Sequence, residues 1–182
     1  LAEVTNPSEL FISHREKNTP GTVIVPSLIG TRPLLIEVQA LTSRSYYATP
    51  SRRVSGVDFN RTAMILAVLE RRLNMPLSSQ DVFVNVVGGV KVDEPAADLG
   101  IALSVISNYR NKPLSDIVAV GEIGLTGEIR PVNHIDRRIQ EAARIGFSKI
   151  IIPANNTKTL KPPDGFDIIK YNYLFKVVES LL

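Results

Sequence analysis

Six arginines and two adjacent tyrosines are the residues of this chain best suited to chemistry on a polyanion. Residues 44–72 hold Arg44, Arg52, Arg53, Arg61, Arg71 and Arg72 against Asp58 and Glu70, a local balance of +4 in a chain of formal net charge +3. The stretch contains no lysine. Guanidinium forks bind phosphate oxygens in bidentate fashion, so arginine without lysine suits phosphate recognition. Tyr46 and Tyr47 sit beside the first of these arginines, and aromatic rings there could stack on unpaired bases. Other roles fit the same residues. The arginines could form a solvated helix face or pair with carboxylates across a subunit interface, and the tyrosines could pack their loop onto the domain. Asp58, Asn60 and Arg61, near a helix start, are the ones best placed to serve an interface.

Other chemistries are poorly supplied. The chain has no cysteine and two histidines, His14 and His134, so thiolate zinc sites, disulfides and a histidine-rich metal centre are not expected. His134 reads as a surface residue beside a helix cap, and His14 is given no role. Neither G-x-x-x-x-G-K-[ST] nor G-x-G-x-x-G occurs, so no nucleotide site is visible. Gly88, Gly89, Gly121, Gly124 and Gly127 are expected to serve positive φ or close packing.

The elements that must position these residues follow from the hydrophobic pattern. A length of 182 residues predicts one domain with a sizeable core. Residues 1–20 read as a linker or the tail of a preceding domain, with the domain proper at 21–182. Residues 21–27 and 33–42 read as a hairpin, and 43–56 as an exposed loop. Asp58 opens a helix with an apolar stripe of Ala63, Leu66, Ala67, Leu69 and Leu73, ending near Asn74. Residues 81–87 alternate as a strand. Pro95 starts a helix that is apolar nearly all round and therefore central. Residues 117–120 form a strand, and GEIGLTGEIRPV at 121–132 a hairpin-like segment. Asn133 is expected to cap a helix that turns Ile135, Ile139, Ala142 and Ala143 inward and stops at Gly146. Strands at 149–152 and 167–170 and a helix at 174–182 close the chain. The pattern predicts a two-layer α/β or α+β domain. No run of 18 apolar residues and no basic-then-apolar leader is present, so neither a membrane helix nor a signal peptide is expected. The chain does not begin with Met, which reads as a fragment of a longer protein, and a cytoplasmic location is the expectation.

Two runs carry a resemblance. GGVKVDEPAAD at 88–98 and GEIGLTGEIRPVNHIDRR at 121–138 resemble the protease domain of the Lon family, which hydrolyses peptides with a serine–lysine dyad. The serine position of that family falls on Ala96 and the lysine position on Asp136. Alanine offers no nucleophile, and aspartate reverses the charge of the base. Ser104, eight residues along the same helix, and Lys91, before it, are not where that fold would place the chemistry. Asp136, Asp93 and Glu94 are expected to act as helix-start carboxylates favoured by the helix dipole.

A narrower resemblance covers nearly the whole chain. LAEVTNPSELF (1–11), GTRPLLIEVQAL (30–41), GVDFNRTAMILAVLERR (56–72), QDVFVNVVGGVKVDEPAADL (80–99) and GEIGLTGEIRPV (121–132) are similar to the C-terminal domain of the bacterial RadA (Sms) DNA-repair family. That resemblance implies a Lon-protease-type fold, like the second domain of ribosomal protein S5. It implies a parent protein with a four-cysteine zinc motif and a RecA-like ATPase before this segment, so zinc, ATP and Mg would belong to parts outside this chain, which itself needs no cofactor. It also implies a homohexameric ring, binding to single-stranded and branched DNA, branch migration alongside the recombinase RecA, and no membrane. Arg44, Arg52, Arg53, Arg61 and Arg71 with Tyr46 and Tyr47 are then the expected DNA-contacting residues. A ring scaffold without DNA contact and a residual serine peptidase are the alternatives.

Overall fold

The computed structural model describes Ser8, Ile12 and residues 18–114, 116–156 and 162–182. The linker expected at 1–20, including His14, lies almost wholly outside the described residues. From Thr22 onward the elements run β1 (Thr22–Ile29), β2 (Arg32–Arg44), β3 (Arg52–Ser55), α1 (Phe59–Leu73), β4 (Gln80–Val86), α2 (Asp98–Tyr109), β5 (Ile117–Ala119), β6 (Glu122–Ile123), β7 (Ile129–Arg130), α3 (Ile135–Arg144), β8 (Lys149–Pro153), β9 (Asp167–Tyr171) and α4 (Leu174–Leu181).

Among the described residues, seven strands form one mixed sheet in the order β3-β4-β2-β1-β5-β8-β9, and β6 pairs with β7 in a separate hairpin. β1–β2 and β2–β4 are antiparallel, whereas β3–β4, β1–β5, β5–β8 and β8–β9 are parallel. Successive side chains of a strand leave opposite faces, so each face receives its own core. One face of β1 and β2 turns Val23, Val25, Ile36 and Val38 into a core that α1, α2 and α4 also enter, with α2 lying directly on both strands. The other turns Ile24 and Leu35 against Ile135, Ile139 and Ala142 of α3. The two-layer α/β architecture therefore holds, with α3 added on the second face.

Local chemistry explains the element ends. The Asp58 carboxylate accepts from the Arg61 N–H, and Asn74 closes α1 in the left-handed conformation, as side-chain caps and αL residues do at helix ends. The buried face of α1 is Thr62, Ile65, Leu66, Val68 and Leu69. Ala63 and Ala67, expected inside, are exposed, because the stripe is rotated towards Ile65 and Val68. The α3 cap also differs from expectation. His134, not Asn133, takes the capping position, in left-handed conformation and without a side-chain cap bond. The Asn133 carbonyl instead accepts from Arg138 Nε at 3.0 Å.

A short 3-10 turn, Pro95–Ala97, leads into α2, whose residues Asp98 to Ser107 are all buried. Helix α2 lies so close to the sheet that a Cβ at Gly100 would fall inside the Val25 side chain. Glycine is costly inside a helix, and this approach is the reason for it here. Gly100→Val should lower stability by about 1–3 kcal/mol through overpacking. Urea unfolding would report it as a lower midpoint with unchanged slope, and a midpoint equal to that of the parent chain would show that the two elements can separate freely.

Candidate nucleic-acid interface

The segment expected to be one long loop is divided by the sheet. β2 continues to Arg44 and β3 takes Arg52–Ser55, leaving residues 45–51 as the connection. The two strands flank β4: Arg44 lies opposite Gln80, Arg52 opposite Val82 and Arg53 opposite Phe83. Arg44 and Arg52 are thus two strand spacings apart, about 10 Å, at one end of the sheet, and the 45–51 connection crosses that end. Strands β3 and β4 are parallel and joined by α1, so α1 must run back along the sheet. Its last turn, with Arg71 and Arg72, returns to the same end.

The topology therefore gathers Arg44, Tyr46, Tyr47, Arg53 and Arg71, all exposed. Tyr46 is 90% and Tyr47 77% exposed, so these rings do not pack the loop onto the domain. Strand alternation puts Arg44 and Arg53 on opposite faces of the sheet, so they flank its end rather than form one flat patch. Arg71 sits where a cation meets the negative end of the helix dipole. Arg72, also exposed, donates from Nε to the Leu125 carbonyl at 3.3 Å.

Two arginines expected to contact a ligand are engaged elsewhere. Arg52 is half-buried and donates to the carbonyls of Leu77 (2.6 Å), Ser51 (3.1 Å) and Gln80. Arg61 lies at the other end of α1 and forms a bidentate pair with Asp98, Nε–Oδ1 2.6 Å and Nη2–Oδ2 2.5 Å, with Glu122 3.5 Å away. The Asp98 side chain is 1% exposed. Its burial pushes the carboxyl pKa up despite Arg61 and the Ile123 N–H, whereas the hydrogen bond to Asp98 raises that of Arg61. Arg61 thus ties α1 to the start of α2, with its guanidinium committed to Asp98. The signal was present in the sequence: Asp98 is the single charge on an otherwise apolar helix, and a buried charge needs a partner.

The positions aligned with a serine–lysine dyad do not form an open site. The Ala96 methyl is buried among Ile24, Leu35, Val118, Ile135 and Ile139, and its carbonyl accepts from the Gly121 N–H at 2.9 Å. Asp136 is exposed in the first turn of α3. Ser104 is buried and donates to the Ile101 carbonyl at 2.8 Å, and Lys91 is exposed and paired with Asp93 at 2.9 Å.

Beside Ala96 lies an ion pair that residue types alone did not reveal. Arg138, whose side chain is 1% exposed, grips Glu94 through Nη1–Oε1 (2.9 Å) and Nη2–Oε2 (2.6 Å). The same guanidinium donates to the carbonyls of Pro26 and Asn133, and Glu94 accepts from the Leu28 N–H at 2.7 Å. Glu94 was expected to serve the helix start, but it makes no side-chain cap bond and turns to Arg138 instead. Burial works to raise its pKa, but the Arg138 hydrogen bonds and charge and the Leu28 N–H outweigh it, and the net shift is downward. Arg138 falls on the inward period of α3 between Ile135 and Ile139; that spacing was the available clue.

Among the described residues, no group of three histidines, cysteines or carboxylates could hold a metal ion, and no helix is long and apolar enough to cross a membrane.

Comparison with known proteins adds relationship to geometry. A family model described as subunit ChlI of Mg-chelatase matches residues 55–156. DNA repair protein RadA of Halalkalibacterium halodurans is 48% identical over 100% of this chain and 40% of its own length. The protein of that name from Bacillus subtilis is 45% identical over 93% of the chain and 37% of its own length. The Streptococcus pneumoniae protein is 43% identical over 100% of the chain and 43% of its own length. The chain thus spans about two fifths of the relatives it matches. It belongs to the family described as subunit ChlI of Mg-chelatase, and over its whole length it is related to DNA repair protein RadA.

Proposed function

We propose that this chain is a non-proteolytic, Lon-type domain of a RadA-like DNA-repair protein, and that it binds single-stranded DNA without reading its sequence. The observation that carries this is the end of the sheet to which the topology brings exposed Arg44, Arg53 and Arg71 together with the loop of Tyr46 and Tyr47. Cations that follow the phosphates and rings that stack on bases are the two components of sequence-tolerant single-strand binding. The identity to proteins named for DNA repair supports the ligand class. Hexamer-ring assembly, action on branched intermediates alongside RecA, and an ATP-, Mg- and zinc-bearing remainder of the protein belong to the same proposal, as does a cytoplasmic, nucleoid-associated location. A ring of six copies would repeat the basic corner six times and concentrate its positive potential. Absence of peptidase activity is part of the proposal too, and rests on the packed Ala96 methyl and the exposed Asp136.

Fluorescence anisotropy of a labelled oligothymidine across a salt series tests DNA binding. Log affinity should fall linearly with log salt, and Arg53→Ala should flatten that slope by about 0.7, the value for one single-strand phosphate contact. An unchanged slope in Arg44→Ala, Arg53→Ala and Arg71→Ala alike would assign DNA contact to another part of the protein and leave the domain as a scaffold.

A further inference from the structure

We infer that Arg52 is a positioning residue that holds the Tyr46–Tyr47 loop in a fixed shape, and that it does not touch DNA. This rests on the single-strand binding proposed above. The loop leaves β2 after Arg44 and enters β3 at Arg52, and both of its ends are fastened. Near the start, the Ser45 N–H donates to the Ser79 carbonyl at 3.0 Å. At the end, the Ser51 N–H donates to Asp81 Oδ1 at 2.7 Å, and the Ser51 carbonyl accepts from the Val82 N–H at 2.9 Å. Arg52 joins the two. Its guanidinium reaches the carbonyls of Ser51, on the loop, and of Leu77 and Gln80, which flank the Ser79 carbonyl that holds Ser45.

The arrangement makes sense as presentation. Tyr46 and Tyr47 are the most exposed large rings among the described residues, and the side-chain bonds beside them reach only the Tyr47 backbone: Ser45 Oγ accepts from the Tyr47 N–H at 3.3 Å and donates to the Tyr47 carbonyl at 3.5 Å. Rings held by nothing of their own can be ordered only through the backbone that carries them. A fastened backbone removes part of the ordering cost that a flexible loop would meet on binding. One planar fork with several fixed donors can span three carbonyls; an ammonium on a flexible stem cannot hold them in one geometry.

The test uses the 182-residue chain with Arg52→Lys, Arg52→Ala, and Tyr46→Ala with Tyr47→Ala as reference, and two readouts: oligothymidine affinity over a salt series, and amide hydrogen exchange at Ser45, Ser51 and Val82. Both Arg52 variants should exchange faster at these amides and bind about 5-fold more weakly, with the salt slope of the parent chain. Arg52→Lys is the deciding variant, since it keeps the charge and loses the fork. Full affinity in Arg52→Lys with a flattened slope in Arg52→Ala would make Arg52 a phosphate contact and overturn the inference. Faster exchange with unchanged affinity would overturn it as well, because loop order would then not matter to binding. If the tyrosine variant itself binds normally, the rings take no part in binding and the inference falls with them, whereas failure of the parent chain to bind oligothymidine would sink the single-strand proposal; if only the tyrosine variant weakens binding, that proposal stands and the positioning role alone is lost.

Discussion

Arg138→Ala should cost the fold about 3–5 kcal/mol, the range seen when one partner of a buried ion pair is removed. That is a large share of the roughly 5–15 kcal/mol that stabilises a domain. Three losses coincide. Glu94 keeps its half-buried position and loses the bidentate partner. The Pro26 and Asn133 carbonyls lose their donor. The side chain also leaves a void in the face of α3 that packs on the sheet. Replacing the pair together, as Arg138→Met with Glu94→Leu, should restore much of the stability, because apolar substitutes of similar volume often match a buried pair. Denaturant unfolding of the four members of this cycle measures the coupling; a single-mutant cost below about 1 kcal/mol would place the pair among weak surface interactions.

Acid sharpens the same prediction. In the parent chain the Glu94 pKa is held below the usual glutamate range. Its contribution is therefore complete above that range and is lost as pH falls through the lowered folded-state value. In Arg138→Ala the hydrogen bonds and charge of Arg138 are gone while burial remains, so the Glu94 pKa should rise above its value in the parent chain. Protonation then relieves the variant, and the stability gap between variant and parent should narrow as pH drops from 7 towards 4. A gap that stays constant across this window would mean that Glu94 is not the group left stranded.

Tyr46→Ala and Tyr47→Ala should each weaken binding to single-stranded DNA by about 1–3 kcal/mol if each ring stacks one base, or roughly 5- to 150-fold. Both side chains are mostly in solvent, so thermal stability should stay within about 0.5 kcal/mol of the parent. No charge is removed, and the salt dependence should not change. Duplex DNA offers no unstacked base and should bind the variants as it binds the parent. Equal losses on duplex and single strand would reassign the rings to a general contact, and no loss on either would take them out of the interface.

The fold was largely legible because its signals are local. The Asp58 cap, the mostly apolar run of α2 and the glycine-punctuated β6–β7 hairpin each depend on neighbours within a few residues. β3 was not legible: four residues, Arg-Arg-Val-Ser, are too few to show a period of two, and their strand state comes from β4, nearly thirty residues later. The site divided along the same line. Arg44, Arg53, Arg71 and the two tyrosines are found at the surface, as composition suggested. Arg52 and Arg61 are only partly exposed and already paired, because backbone carbonyls and a carboxylate are brought to them by tertiary structure. Charge counting registers arginines but cannot tell a free guanidinium from a committed one. The Arg138–Glu94 pair was missed for the converse reason: its members lie 44 positions apart, and neither motif contains both.

The two margins of the sheet carry a further consequence. β3 offers four residues, two of them arginines, and β9 five, with Asp167 and Lys170 among them. A long, flat, apolar margin is a template on which another chain can add a strand, and short charged ones are how natural sheets avoid this. Copies of this domain can therefore be crowded together without their sheets fusing into a continuous ribbon. Arg53, one of the arginines that suit the corner to a polyanion, also guards the margin against aggregation.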